Sequence, residues 1–160
     1  MRRRKSALMD GISRQDFSFF HPLRVRWSEV DPQGIVFNPN YLAYADIALT
    51  EYMRAIGFPY PDALLRLGSD LFAVRAEINF RASAKYDDEL DLAARVSRIG
   101  RTSLALTVGI FRGDQILCEV LLTYVNAARE TQKPMKLPEP FVETVAAFEK
   151  RPPERARAPG

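Results

Sequence analysis

The segment Asp31-Pro32-Gln33-Gly34-Ile35-Val36-Phe37-Asn38-Pro39-Asn40-Tyr41 places one carboxylate a few residues ahead of a helix start, in an otherwise apolar loop. These residue types suit chemistry on a carbonyl. A carboxylate can act as base or nucleophile. A helix N-terminus offers unpaired backbone N–H groups and partial positive charge to an oxygen that becomes negative. Gly34 allows close approach of the loop to a ligand, and Pro39 fits the first helical turn, where its missing N–H costs little. Asp31 could instead close an Asp-Pro turn or cap the helix. Asn38 or Asn40 could cap through the side chain while a main-chain amide faces a substrate.

The elements that must hold this loop are readable from periodicity. From Phe19 to Trp27, His21, Leu23, Val25 and Trp27 alternate with Phe20, Pro22, Arg24 and Arg26, which predicts a strand with one polar face. Residues 41–56 switch to helical spacing: Tyr41, Ala45, Ala48, Tyr52 and Ala55 form a stripe, with Leu42, Leu49, Met53 and Ile56 beside it. So wide an apolar arc requires cover by protein, and Gly57 with Pro59 supplies a stop. A short helix is expected over 61–67. The period then becomes two. Strands are predicted over 72–80, 90–96, 104–110 and 116–125, separated by turns around Gly100 and Gly113. The last is apolar on both faces, which places it centrally or at a subunit contact. Residues 138–148 suit a final helix. The expected architecture is α+β, a five-stranded antiparallel sheet around one long helix, and such limited burial favours a dimer.

The chain has 160 residues, 47% hydrophobic, with formal charge +3. Residues 1–16 hold five Lys/Arg against two acids and residues 149–160 four against two, so the body between is mildly acidic and the high pI does not mark a nucleic-acid surface. Residues 1–16 read as a flexible basic arm, 17–149 as one domain, and 150–160 as a disordered tail. No apolar run is long enough to span a membrane and no signal-peptide core follows the basic start, so a cytoplasmic protein is expected. Cys118 is the single cysteine, read as a buried inert thiol, and no metal cluster or cofactor motif is found. His21, the single histidine, precedes the first strand and reads as structural.

Asp31-Pro32-x-Gly34-Ile35-Val36 followed by Asn38-Pro39-Asn40-Tyr41, with Tyr86-Asp87-Asp88-Glu89-Leu90 at a later strand start, resembles the hotdog-fold acyl-CoA thioesterases. Within them it is most similar to the branch containing bacterial 4-hydroxybenzoyl-CoA thioesterase. The resemblance covers roughly residues 19–127. It implies that Asp31 is the catalytic carboxylate and that the Asn38 backbone N–H polarises the thioester carbonyl. It further implies a dimer or dimer of dimers, a homotetramer by analogy, with sites at the dimer interface. That branch has an aromatic residue at the position of Asn38. A backbone donor survives the change; the pocket lining does not. The chemistry fits the residues, because a thiolate leaves readily and one carboxylate with one oxyanion donor can suffice.

On this reading Asp31 is general base or nucleophile, Gly34, Val36, Phe37 and Tyr41 line the acyl site, and Arg98 and Arg101 bind coenzyme A phosphates, with Arg129 and Lys133 as weaker candidates. Asp46 and Glu51 on the helix are the rival carboxylates, read as surface or dimer contacts with Arg54. The expected partner is an acyl-CoA, not nucleic acid or membrane. The alternative is an acyl-CoA-binding domain without catalysis.

Overall fold

The computed structural model describes residues 11–156. In chain order they form β1 (Phe19–Arg24), α1 (Pro39–Ala55), α2 (Asp62–Leu65), β2 (Asp70–Phe80), β3 (Glu89–Ile99), β4 (Ser103–Arg112), β5 (Gln115–Ala127), α3 (Glu139–Phe148) and β6 (Glu154–Arg155). The sheet order is β1-β3-β4-β5-β2 with antiparallel neighbours, and β6 pairs parallel with β3. This is the α+β hotdog arrangement.

The two-residue period builds the core. In β4 and β5, Leu104 pairs with Tyr124, Leu106 with Leu122, Val108 with Val120 and Ile110 with Cys118, so all eight side chains share one sheet face. That face carries α1, whose Tyr41, Tyr44, Ala45, Ala48, Leu49, Tyr52 and Met53 are buried. Ala45 and Ala48 lack bulk beyond Cβ and sit fully enclosed, so the helix axis can lie close to the sheet. The helix ends at Gly57, whose φ of +82° suits the left-handed residue that closes a helix. β5 lies centrally, between β4 and β2; its Cys118, Val120, Leu122 and Tyr124 are buried on the helix side, while Leu121, Thr123 and Val125 on the other face are only partly covered.

Several boundaries depart from the sequence expectation. β1 ends at Arg24 rather than Trp27, because the Arg26 N–H donates to Glu29 Oε2 at 2.8 Å and winds Trp27–Glu29 into a 3-10 turn. Of the arm expected over 1–16, residues 1–10 lie outside the described residues, and the remainder is folded. Ser13 caps a 3-10 turn over Arg14–Asp16, and Arg14 pairs with Asp91 at 2.9 Å while its guanidinium covers Phe20 and Phe111.

Of the tail expected over 150–160, residues 157–160 lie outside the described residues. Residues 150–156 pack instead of trailing free: Pro153 is buried, β6 pairs with Arg98 and Ile99, and Arg151 reaches Asp16 at 2.8 Å. The reason is geometric. β1 covers β3 only as far as Ala94, which leaves the last part of that strand edge open for another segment. The sheet therefore has six strands, not five.

Candidate active site

The Asp31 loop is a small hairpin. Val30 and Val36 form a bridge, Gly34 N–H donates to Asp31 O at 2.9 Å, and Asp31 N–H donates to Ile35 O at 2.9 Å. Gly34 has φ +77°, a conformation that L side chains rarely adopt, yet a Cβ there would meet nothing within 4 Å. Its role is thus to close the turn, and close ligand approach is not what requires a glycine here. Asp31 is half-buried. Its Oδ1 accepts from Gln33 N–H at 2.8 Å, so the turn-closing role considered from sequence is real. Oδ2 takes no partner among the described residues and remains free for chemistry.

Two segments seat the hairpin. On one side Val36 N–H donates to Ala84 O at 2.9 Å, Ile35 bridges Lys85, and Ala84 N–H donates to the Tyr41 hydroxyl at 3.0 Å. The turn carrying Tyr86 to Glu89 supports this: Asp88 Oδ2 accepts from Lys85 N–H at 2.8 Å and from Arg112 at 2.6 Å. On the other side Glu29 is the organiser. Its carbonyl accepts from Phe37 N–H at 2.9 Å and Asn40 Nδ2 at 2.8 Å, and its carboxylate from the Tyr44 hydroxyl at 2.7 Å.

Glu29 and Tyr44 were missed in the sequence. The one usable signal was the three-residue spacing from Arg26 to Glu29, of the capping-box kind. Burial first, and then the Glu29 carboxylate, drive the Tyr44 hydroxyl far above its ordinary range; burial likewise raises Tyr41. Both stay protonated at neutral pH and act as struts rather than as acids. Glu29 is partly buried, its Oε2 holds both donors and its Oε1 lies 3.9 Å from Arg26 Nε, so among the described residues Asp31 Oδ2 is the carboxylate oxygen of the loop left without a partner.

At the helix start Asn38 has φ −45° and ψ −45° and makes no side-chain cap. Asn40 instead ties back to Glu29. Asn40 N–H goes to Phe37 O at 2.9 Å and Tyr41 N–H to Asn38 O at 3.2 Å, while Pro39 has none to give. The Asn38 amide is the donor this set of bonds leaves unused, at the positive end of a 17-residue helix.

The remaining expected residues divide. Phe37 is 53% exposed beside the loop, but Val36 and Tyr41 are 1% and 2% exposed and belong to the core beneath it. They support the loop and do not line an open acyl site in the protomer. A groove of about 590 Å³ does open next to the helix start, lined by Pro39, Leu42, Asp46, Val74, Leu122 and Tyr124. Leu42, expected within the apolar arc, is exposed there. Asp46 faces this groove, and only Glu51 pairs with Arg54, at 3.3 Å. Arg98 and Arg101 are exposed at the end of β3 remote from Asp31, roughly 30 Å along the strand from its first residue. The protomer does not bring them to the loop. Cys118 is enclosed, and burial pushes its thiol up to about 12. Among the described residues no His, Cys, Asp and Glu group could hold a metal, and no helix is long and apolar enough to cross a membrane.

Comparison with known proteins places this geometry. The Thioesterase superfamily model matches residues 33–119, a little over half of the chain, beginning just past Asp31. The acyl-CoA thioesterase YbgC of Haemophilus influenzae is 28% identical over 134 residues, covering 83% of this chain and 96% of the relative. A putative esterase of Aquifex aeolicus is 28% identical over 96 residues, 60% of this chain and 74% of that protein. Among solved structures, a Pseudomonas aeruginosa protein superposes with TM-score 0.75 at 22% identity over 86% of this chain and 95% of its own. The 1,4-dihydroxy-2-naphthoyl-CoA thioesterase of Synechocystis gives 0.72 at 20% identity over 79% and 94%. At these identities the superpositions establish the shared fold, and the family match establishes the rest: the chain belongs to the Thioesterase superfamily and is a hotdog-fold thioester hydrolase.

Proposed function

We propose that this hydrolase cleaves acyl-CoA thioesters to the free acid and coenzyme A, using Asp31 as the reacting carboxylate and the Asn38 amide as oxyanion donor. The observation that carries the proposal is the free Oδ2 of Asp31 on a hairpin that ends at the exposed start of α1. Relatives described as acyl-CoA thioesterases support the substrate class. As a base, Asp31 takes a proton from water, the oxygen attacks the carbonyl carbon, and the oxyanion rests on Asn38 N–H until the C–S bond breaks and the thiolate leaves. As a nucleophile, Asp31 forms a mixed anhydride with release of thiolate, and water then hydrolyses it. A positioned base contributes roughly 10²–10⁴ in rate and one oxyanion donor about 2.7–4 kcal/mol.

The groove beside Pro39 and Leu42 takes the acyl group. It is open in the protomer. β2 is an 11-residue edge strand with Val74 and Phe80 exposed, which suits a second copy of the chain closing the groove, as a dimer or dimer of dimers.

The test is a panel of acyl-CoAs with a thiol reagent. Released thiol is the expected result; tight binding with none released would make this a binding domain instead. A single turnover in heavy-oxygen water then separates the routes, since label enters the Asp31 carboxylate only through the anhydride.

A further inference from the structure

Resting on the acyl-CoA reading, we infer that Trp27 and Tyr86 form a docking station for the adenine-diphosphate end of coenzyme A in the same protomer as Asp31. Trp27 is 73% exposed and Tyr86 53%, and their rings meet edge to face at 5.3 Å. Each is rooted in a segment that seats the Asp31 hairpin. Trp27 opens the 3-10 turn that ends at Val30, and Tyr86 follows Lys85, which bridges Ile35. Two large aromatics open to solvent on the scaffold of the reacting loop give a purine a planar partner at the loop's own border.

A groove of about 570 Å³ runs beside them, lined by His21, Arg24, Arg26, Ile47 and Asp87 as well as the two rings. Its cations differ. Arg24 is committed to Asp87 at 3.1 Å and to Glu89. Arg26 approaches Glu29 only at 3.9 Å through Nε, and that carboxylate is already held by the Tyr44 hydroxyl and by the Arg26 main-chain N–H. The Arg26 guanidinium is therefore the loosely held cation at this site, beside the aromatic pair. A stacked base with an adjacent diphosphate is the occupant that uses both features. Asp31 follows Trp27 by four positions, so their Cα atoms lie within about 15 Å, a span the extended pantetheine arm can bridge.

Trp27 is the sole tryptophan, so its fluorescence reports on this station alone. Titration with coenzyme A quenches that emission, whereas pantetheine, which lacks the nucleotide, leaves it unchanged. In kinetics, Trp27→Ala raises KM for an acyl-CoA about fivefold or more with kcat held within about twofold, and the loss exceeds that with the matching acyl-pantetheine. Trp27→Phe keeps a ring in place and restores KM, which separates lost stacking from lost folding. Three results overturn the station: no quenching by coenzyme A, equal losses with both substrates, or an emission already blue-shifted and shielded from acrylamide because another copy of the chain covers the indole. A protein that hydrolyses no acyl-CoA yet is quenched by coenzyme A refutes the catalytic reading and keeps the station. Turnover with no quenching does the reverse.

Discussion

The two ends of the central helix each meet a carboxylate, and the two are treated in opposite ways. At the start of α1, Asp31 is half-buried on a hairpin with one oxygen in a turn bond and the other free. At the far end, Glu149 is 5% exposed, and its Oε1 accepts from the Tyr52 hydroxyl at 2.6 Å and from Val96 N–H at 3.0 Å, beside the β3 bulge between Val96 and Arg98. Charge follows position. A helix N-terminus favours a negative group nearby, while Glu149 caps the C-terminus of α3 one residue past Phe148 and lies next to the last turns of α1, where negative charge is disfavoured. Burial accordingly pushes the Glu149 carboxyl up, against the two hydrogen bonds that lower it. A carboxylate wetted and loosely held is free to react; one withdrawn from water and doubly bonded ties α3 to α1 and β3.

Substitutions should separate the two roles. The largest effect is expected from Asp31→Asn, which should lower kcat at least about 10²-fold, the range for a positioned base, while the melting temperature holds. Steady-state turnover beside a thermal melt checks it, and unchanged turnover would remove Asp31 from the mechanism. Glu149→Ala should show the converse. It strands the Tyr52 hydroxyl and Val96 N–H at about 1–3 kcal/mol each, so the melting temperature falls by several degrees while kcat of the folded protein is kept. A large drop in kcat without destabilisation would erase the distinction between the two ends.

Gly34→Ala probes the hairpin with a smaller perturbation. The site has room for the methyl group, so the cost is that of a left-handed L residue, about 1–2 kcal/mol in a denaturant melt. A clash-sized loss would mean that a ligand or partner does approach Gly34 closely.

The smallest expected effect is a pH dependence of stability. Because the Glu149 carboxyl is raised in the fold, the folded state binds a proton more tightly than the unfolded one. Its contribution is fully present below the ordinary glutamate range and is lost as pH rises through the raised value. Melts of wild type and Glu149→Gln should agree on the acid side, where both side chains are neutral, and separate as pH rises through that window, with wild type losing stability relative to the variant; a gap that closes toward the alkaline side would reverse the assignment.

Alternation made four of the long strands and α1 legible before any coordinates, because burying one face imposes a period of two or 3.6 on the sequence. The turn at Asp31 was legible as one of two readings, since Asp before Pro commonly starts a turn; that the loop pairs Val30 with Val36 as a hairpin was not. Glu29, Tyr44 and Glu149 were not. Each owes its role to hydrogen bonds between segments distant in sequence, which leave no periodic trace. The packed tail was obscured by its proline-rich, charged composition, which describes how the segment behaves alone and not the open β3 edge it meets.

The amino-acid sequence by itself determined the elements, the sheet-and-helix class and the pairing of Asp31 with a helix start, because these follow from local sterics and one-sided burial. Only the tertiary structure decided which carboxylate stands open, that Val36 and Tyr41 support the loop from below, and that Arg98 and Arg101 lie at the opposite end of β3. Those outcomes depend on which distant surfaces fold against each other, and no local pattern encodes that.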